Sequence, residues 1–85
     1  MKVLIPSPLL SYTKMRELEL AVDSLQALFA ELERCFPGIR FRVVDEQGAI
    51  RRHMRVFVNG SQAMDLATPL GPHDTVQIVQ ALSGG

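Results

Sequence analysis

The sequence predicts a two-layer α+β domain in which one amphipathic helix covers one face of a β-sheet. Apolar residues recur at helical spacing between residues 25 and 36, and short segments on either side alternate apolar with polar residues. Gly, Pro and Asn mark the turns between these segments. A helix with a single apolar stripe needs one sheet face to cover it, so the 85 residues predict one domain with one core.

The first two strands are indicated by alternation. Residues 2–5 place Val3 and Ile5 on one side, opposite Lys2 and Leu4, and within residues 15–20 leucines alternate with glutamates, which predicts one strand in each segment. Pro6 and Pro8 break the pattern between them, so residues 6–14 are predicted to form a loop. Two neighbouring strands joined by a loop favour an antiparallel pair.

The helix is the clearest element of the sequence. It is predicted to begin at Asp23, whose carboxylate accepts free backbone N–H groups, with Gln26 three residues later as in a capping box. The apolar stripe consists of Leu25, Leu28, Phe29, Leu32 and Phe36. Pro37 and Gly38 are predicted to end the helix, because Pro cannot continue it and Gly accepts a left-handed turn.

The second half of the chain contains further extended segments. Phe41 and Val43 alternate with arginines, which predicts a short extended segment. Residues 53–58 and residues 76–82 alternate in the same way and predict two strands. Turns are predicted at residues 45–48, at Asn59-Gly60 and at residues 70–74.

Composition bounds the class of function. Nine basic and nine acidic residues give a formal net charge of zero, which argues against a dedicated nucleic-acid binder. No segment is long and apolar enough for a signal peptide or a membrane span, and Cys35 has no partner for a disulfide, so we expect a cytoplasmic location. We expect Cys35 to be a small, partly buried thiol, and the spacing of His53 and His73 predicts no metal site.

Four landmarks occur in a fixed order along the chain. They are Phe36-Pro37-Gly38-Ile39, Val56-Phe57-Val58-Asn59-Gly60, the run from Thr68 to Val76, and the terminal Gly84-Gly85. In these landmarks the chain resembles the MoaD/ThiS family of ubiquitin-like sulfur carriers. The resemblance implies a β-grasp fold, with a mixed sheet of four to five strands packed on one main helix and the last strand central and parallel to the first. Residues 1–82 would form this domain and residues 83–85 a flexible tail.

The resemblance implies that the C-terminal carboxylate of Gly85 is the working group. Such a carboxylate has an unperturbed pKa of about 3.5, so it is ionised at neutral pH and is a poor electrophile. An E1-like adenylating enzyme would use ATP to join Gly85 to AMP, and a sulfur donor would then displace AMP to leave a thiocarboxylate. A sulfur-accepting biosynthetic enzyme would take the sulfur. The chain itself would bind no cofactor and would serve as a substrate rather than as an enzyme.

Partner binding is predicted for the tail and for the sheet face opposite the helix. The residues are Leu4, Arg55, Phe57 and Val79 on the sheet, together with Leu82 at the end of the domain and Ser83 and Gly84 in the tail. Apolar and aromatic side chains with an arginine rim, to which Arg51 and Arg52 add, are typical of protein interfaces. The alternative for the sheet residues is ordinary surface exposure. No membrane or nucleic-acid partner is expected.

Several functions remain open at the level of sequence. The leading one is a free sulfur carrier for cofactor, cysteine or metabolite biosynthesis. The alternatives are a small subunit of molybdopterin synthase, a ubiquitin-like modifier whose Gly85 forms isopeptide bonds, and a binding module with an inert tail. Residues 80–83 and the loop at residues 6–12 depart from the molybdenum-cofactor pattern, so the sequence leaves the pathway open.

Overall fold

A computed structural model describes residues 1–81 and contains one five-stranded sheet. The strands are β1 (Lys2–Leu4), β2 (Glu17–Glu19), β3 (Met54–Val58), β4 (Ser61–Ala63) and β5 (Thr75–Gln80). The helices are α1 (Leu10–Thr13), α2 (Leu25–Cys35) and α3 (Ile39–Val43). Within residues 1–81, none of these helices has the length and apolar content needed to cross a membrane.

The sheet is mixed, in the order β2-β1-β5-β3-β4. β5 lies at its centre, parallel to β1 on one side and antiparallel to β3 on the other. β2 and β4 complete the edges as antiparallel partners of β1 and β3. The predicted antiparallel pairing of the first two strands, the central last strand and its parallel pairing with the first strand are all confirmed.

The core lies between α2 and one face of the sheet. Of the predicted stripe, Leu25, Leu28, Phe29 and Leu32 are buried and Phe36 is half-buried against them. The sheet contributes Val3, Leu18, Met54, Val56, Val76 and Ile78. Each large apolar side chain buried in this way stabilises the fold by roughly 1.5–3 kcal/mol relative to its exposed state. The α+β architecture predicted from the single stripe is confirmed.

The start of α2 differs from the prediction by one residue. The N-cap is Ser24, whose Oγ accepts a hydrogen bond from the backbone N–H of Ala27 at 3.1 Å. Asp23 lies one residue earlier, so the capping box predicted from Asp23 and Gln26 is wrong. Both Asp and Ser are good N-caps, so the residue type does not decide between them. Leu25 is fully buried as the first residue of the helix, which makes the preceding residue, Ser24, the N-cap.

The segment predicted as a loop at residues 6–14 is largely helical. A 3₁₀ turn at Ser7–Leu9 runs into α1, and Leu9 is buried in the core. Pro is acceptable in the first turn of a helix, where its missing N–H is not needed, so the prolines initiate this turn rather than exclude it. Lys14 then closes α1 in the left-handed region, at φ 61°.

The segment around Phe41 is the helix α3 and not the predicted extended segment. Ile39 and Val43, four residues apart, are both buried, whereas Phe41 is 54% exposed. The Glu33 carboxylate caps the new helix by accepting hydrogen bonds from the backbone N–H groups of Gly38 at 2.8 Å and Arg40 at 3.0 Å. These two hydrogen bonds lower the pKa of Glu33. A long-range cap of this kind is invisible to local alternation.

The turns occur where they were predicted, but β4 was not predicted. Asn59 and Gly60 both have positive φ, at 51° and 86°, which is the backbone of a two-residue hairpin turn. This turn connects β3 to β4. The sequence Ser61–Ala63 carries no β-branched or aromatic residue, so propensity did not reveal the strand.

Candidate functional site

The end of β5 determines where the chain leaves the domain. β5 ends at Gln80, opposite Met54 of β3, and the N–H of Ala81 donates to the carbonyl of His53 at 2.7 Å. The tail residues predicted to act, Leu82, Ser83, Gly84 and Gly85, lie outside the described residues. The structure therefore fixes the backbone to within four residues of Gly85, and the predicted roles of those four residues stay predictions.

The four predicted sheet residues share the face that points away from α2. Strand register places Leu4 and Phe57 on either side of Gln77, and it places Arg55 directly opposite Val79. Residues directly opposite in a sheet point to the same face, and all four predicted side chains are half-buried. Their shared position is as predicted, whereas their role in binding stays a prediction. We call Leu4, Arg55, Phe57 and Val79 the outer patch.

A shallow groove of about 330 Å³ adjoins the outer patch at its β1 side. Leu4 and Val79 line it together with Pro6 and Pro8 from the turn after β1. The groove lies beside the last residues of β5, Gln77 to Gln80, after which the chain continues toward Gly85. An apolar side chain of a partner that engages the outer patch would therefore also be close to the exit of the tail.

Met64 is a surface residue that the sequence reasoning missed. Its side chain is 78% exposed, and it lines a groove of about 430 Å³ together with Arg55 and Gln62. Gln62 is the register partner of Phe57, so Met64 follows two residues after a position on the outer face. Recognising β4 in the sequence would have revealed Met64, because alternation then assigns Gln62 and Met64 to the same side.

The arginines of this region are held by backbone carbonyls and an aromatic ring. Nη1 of Arg55 donates hydrogen bonds to the carbonyl of Met54, at 3.0 Å, and to the carbonyl of Arg52. Arg51 donates from Nε to the carbonyl of Phe41 at 2.7 Å, and its guanidinium carbon lies 4.4 Å from the centroid of the Phe41 ring. The predicted arginine rim is thus present beside the outer patch.

A hydrogen-bonded turn fixes the start of β5. The Asp74 carboxylate accepts hydrogen bonds from the backbone N–H of Gly71 at 2.7 Å and from Nδ2 of Asn59 at 2.9 Å. The side-chain oxygen of Asn59 in turn accepts from the N–H of Thr75 at 2.9 Å. The hydrogen bond from Gly71, followed by that from Asn59, lowers the pKa of Asp74. Two of the family landmarks therefore meet in space, and together they set the register of β5.

The side chains of Cys35 and of the two histidines are not part of the outer patch. Cys35 is exposed, so the prediction of a partly buried thiol is wrong. It is the last residue of α2 and is not one of the buried residues of that helix, the last of which is Leu32. Its Sγ lies 3.5 Å from Oε2 of Glu31 on the outer side of α2. His53 and His73 are exposed. Across residues 1–81, no group of three or more His, Cys, Asp or Glu side chains could hold a metal ion.

Comparison with known proteins places the chain among small β-grasp proteins. A model of the ThiS family matches residues 3–85. CysO of Amycolatopsis orientalis, solved in complex with BexX, is 26% identical with a TM-score of 0.89, covering 99% of this chain and 98% of that chain. CysO of Mycobacterium tuberculosis, described as an antigen, is 29% identical with a TM-score of 0.88, covering 95% and 98%.

A third comparison bears on the fold alone. Small archaeal modifier protein 1 of Haloferax volcanii is 23% identical with a TM-score of 0.82, covering 100% of this chain and 98% of that chain. No curated protein matches the sequence at a significant level. The ubiquitin-like β-grasp fold that the sequence landmarks imply is confirmed by these structures.

Proposed function

Because the chain belongs to the ThiS family of ubiquitin-like sulfur carriers, we propose that it carries sulfur on the C-terminal carboxylate of Gly85. An activating enzyme adenylates this carboxylate with ATP, and a sulfur donor converts the adenylate into a thiocarboxylate. An acceptor enzyme then takes the sulfur for the biosynthesis of a cofactor, of cysteine or of another metabolite. In each step the chain is the substrate and the partner supplies the catalytic side chains.

The observation that carries the proposal is the position of β5. Residues 75–77 of this strand pair with β1, residues 76–80 pair with β3, and Ala81 donates to the carbonyl of His53, so the backbone is hydrogen-bonded to the sheet until four residues before Gly85. The family match also continues through the two terminal glycines. A hydrogen-bonded strand followed by a short segment that ends in two glycines suits a terminus that must enter the active site of another protein.

The chemistry follows from the poor electrophilicity of a carboxylate. One carboxylate oxygen attacks the α-phosphate of ATP and pyrophosphate leaves, which gives an acyl adenylate. Hydrosulfide from the sulfur donor then attacks the carbonyl carbon, the carbon–oxygen bond to AMP breaks, and AMP leaves with the electron pair. The thiocarboxylic acid loses its proton and becomes a nucleophilic thiocarboxylate.

Docking of the activating enzyme is assigned to the outer patch. Leu4, Phe57 and Val79 lie half-buried on the sheet face opposite α2, and Arg55 lies beside them. Aromatic and arginine side chains are enriched at interfaces, where a few of them dominate the binding energy. The complex of CysO with BexX supports the expectation that a carrier of this fold binds a partner protein through its own surface.

Intact-protein mass spectrometry tests the proposal. The 85-residue chain is incubated with ATP, a sulfide source and the adenylating enzyme of the same organism. We expect a mass gain equal to the difference between one sulfur and one oxygen atom, confined to the C-terminal peptide. Two variants serve as controls: a chain that ends at Ser83, and a chain extended by one alanine beyond Gly85, which displaces the carboxylate.

The result distinguishes the alternatives. Neither control variant gains sulfur if Gly85 carries it. Covalent conjugates to lysine that persist in denaturant and require Gly85 indicate a protein modifier instead, and a stoichiometric complex that survives purification indicates an enzyme subunit. If the chain that ends at Ser83 gains sulfur as the full chain does, the proposed role of Gly85 is wrong.

A further inference from the structure

A groove lies where β3 extends beyond its partner strand. β4 pairs with Val56–Val58 of β3, so Met54 and Arg55 continue past the end of β4. The groove formed there has a volume of about 430 Å³, and residues 50–52 and Met64 complete its walls. We call it the arginine groove, since three of its nine lining residues are arginines and none is acidic.

The guanidinium of Arg55 is fixed in this groove. Its Nη1 donates to the carbonyls of Met54 and Arg52, two backbone groups that do not move with a surface side chain. Among the described residues, no further hydrogen bond is made by Nε or Nη2 of Arg55. A guanidinium that is held on one side and open on the other is pre-organised for a carboxylate, which accepts two parallel hydrogen bonds.

The positive charges of Arg52 and Arg55 have no ion-pair partner within the described chain. Arg51 interacts with the Asp45 carboxylate, whose pKa is lowered by hydrogen bonds from the backbone N–H groups of Ala49 and Gln47 and, to a smaller extent, by the charge of Arg51. The ion pairs among residues 1–81 join Lys2 to Glu17, Arg34 to Glu31 and the Met1 ammonium to Glu19. None of these pairs involves the arginines of the groove. The chain as a whole has no net charge, so this local excess of positive charge is a feature of one surface and not of the composition.

The strand beside the groove can pair with an extended segment. β4 is an edge strand with β3 on one side, so its other edge has backbone groups available to pair with a further strand. Met64 is 78% exposed and adds an adaptable apolar contact at the end of that strand. An extended segment that alternates acidic and apolar residues would meet both the guanidinium groups and this methionine.

The groove also lies near the exit of the tail. Ala81 is hydrogen-bonded to His53, which directly follows Arg52 in the chain. A protein that takes the tail into its active site must therefore place some of its surface close to Arg52 and Arg55. Carboxylates at that place would steer the encounter and orient the bound carrier.

We propose that the arginine groove binds an extended acidic segment of the activating enzyme. That the partner is the activating enzyme rests on the proposed function. That the groove binds an extended acidic segment rests on the groove alone. The contact complements the outer patch: the patch supplies apolar contact area, and the groove supplies charge and orientation.

A peptide experiment tests the groove without any enzyme. Amide NMR signals of the labelled chain are followed during addition of a synthetic peptide that alternates glutamate and leucine, and of the same peptide with glutamine for glutamate. We expect the glutamate peptide to shift the signals of residues 50–56 and 61–64, and the double variant Arg52→Gln/Arg55→Gln to lose this response. Arg16→Gln, which removes one positive charge from an exposed residue just before β2, should retain it.

The second arm uses the activating enzyme that charges the chain. For the double variant we expect a Kd about ten times higher than that of the unchanged chain at low salt, with the difference largely lost at high salt. Arg52→Gln alone keeps the hydrogen bonds of Arg55 and should give part of the effect.

Four outcomes contradict the proposal. Equal shifts with the glutamate and glutamine peptides would show that charge is not recognised. Displacement of the peptide by an equal concentration of inorganic phosphate would show a small-anion site. Equal weakening by Arg16→Gln and by the double variant would show a general charge effect. If the peptide binds as expected but no enzyme charges the chain, the proposed function fails and the assignment of the acidic segment to the activating enzyme fails with it.

Discussion

Two adjacent residues of β3 point to opposite faces of the sheet, so substituting each of them tests partner binding and domain stability separately. Val56 points to α2 and is fully buried, whereas Phe57 points to the opposite face and lies half-buried in the outer patch. We predict that Phe57→Ala weakens binding of the activating enzyme while the domain stays folded. Val56→Ala, one residue away, should destabilise the domain while the binding of its folded fraction stays unchanged. The pair controls for any general effect of altering this strand.

The magnitudes follow from the positions of the two side chains. Val56→Ala removes two buried methylene equivalents and leaves a cavity, which costs about 2–3 kcal/mol of unfolding free energy. At about 4–8 °C per kcal/mol for a domain of this size, its Tm falls by roughly 10–20 °C. Phe57→Ala loses only cross-strand contacts on the open face, about 1 kcal/mol. An aromatic anchor at an interface is worth more than about 1.4 kcal/mol, so the Kd should rise at least about tenfold.

The assays are urea unfolding for stability and titration calorimetry against the activating enzyme for binding. Both are carried out at a temperature where the Val56→Ala protein is folded. If Phe57→Ala binds with an unchanged Kd, the outer patch is ordinary exposed surface. If both variants lose binding and stability in parallel, the two faces of the sheet do not have separate roles.

Three further predictions concern the stability of the turns and of the helix cap in this domain. Gly38 has a φ of 98°, so Gly38→Ala should lower the unfolding free energy by about 1–2 kcal/mol, and an unchanged urea midpoint would contradict the strained turn. Ser24→Ala should cost about 1 kcal/mol by removing the N-cap, whereas Asp23→Ala should cost less, and the reverse order would restore Asp23 as the cap. Asp74→Asn should lower the Tm at neutral pH. Because hydrogen bonds lower the native pKa of Asp74 below its ordinary value of 3.8, its stabilisation is complete above that value and is lost as the pH falls through the native pKa. The Tm deficit of Asp74→Asn should therefore shrink in acid, and a deficit independent of pH would contradict the role of the charge.

The fold could be predicted from the sequence where an apolar pattern continued over several helical turns, or where the backbone conformation of a turn requires particular residue types. The stripe from Leu25 to Leu32 fixed both the helix and the face that it buries. Asn59-Gly60 and the turn at residues 70–74 were recognised because their φ angles or their side-chain acceptors require those residue types. The pairing of β5 with β1 came from the resemblance, since no local pattern encodes a parallel neighbour 70 residues away.

The errors have a common physical cause, which is that tertiary contacts decided between locally equivalent conformations. The pattern around Phe41 suits a short strand or a helical turn, and the carboxylate of Glu33 selects the turn by capping it. β4 forms from residues of low strand propensity because the hairpin turn aligns them against β3. Missing β4 concealed Met64, and with it the groove that Arg55 lines.

The position of the chain end depends on contacts at the opposite end of the sheet. Asn59 and Asp74 join the β3–β4 hairpin to the start of β5, and they thereby set which residues of β5 face Arg55 and Phe57. A register shift of one residue would turn Val79 inward and bring Ile78 out to the outer patch, because strand side chains alternate between faces. It would also move Ala81 away from His53 and the arginines beside the exit of the tail. The turn thus determines at once what a partner contacts on the sheet and where it meets the chain that leads to Gly85.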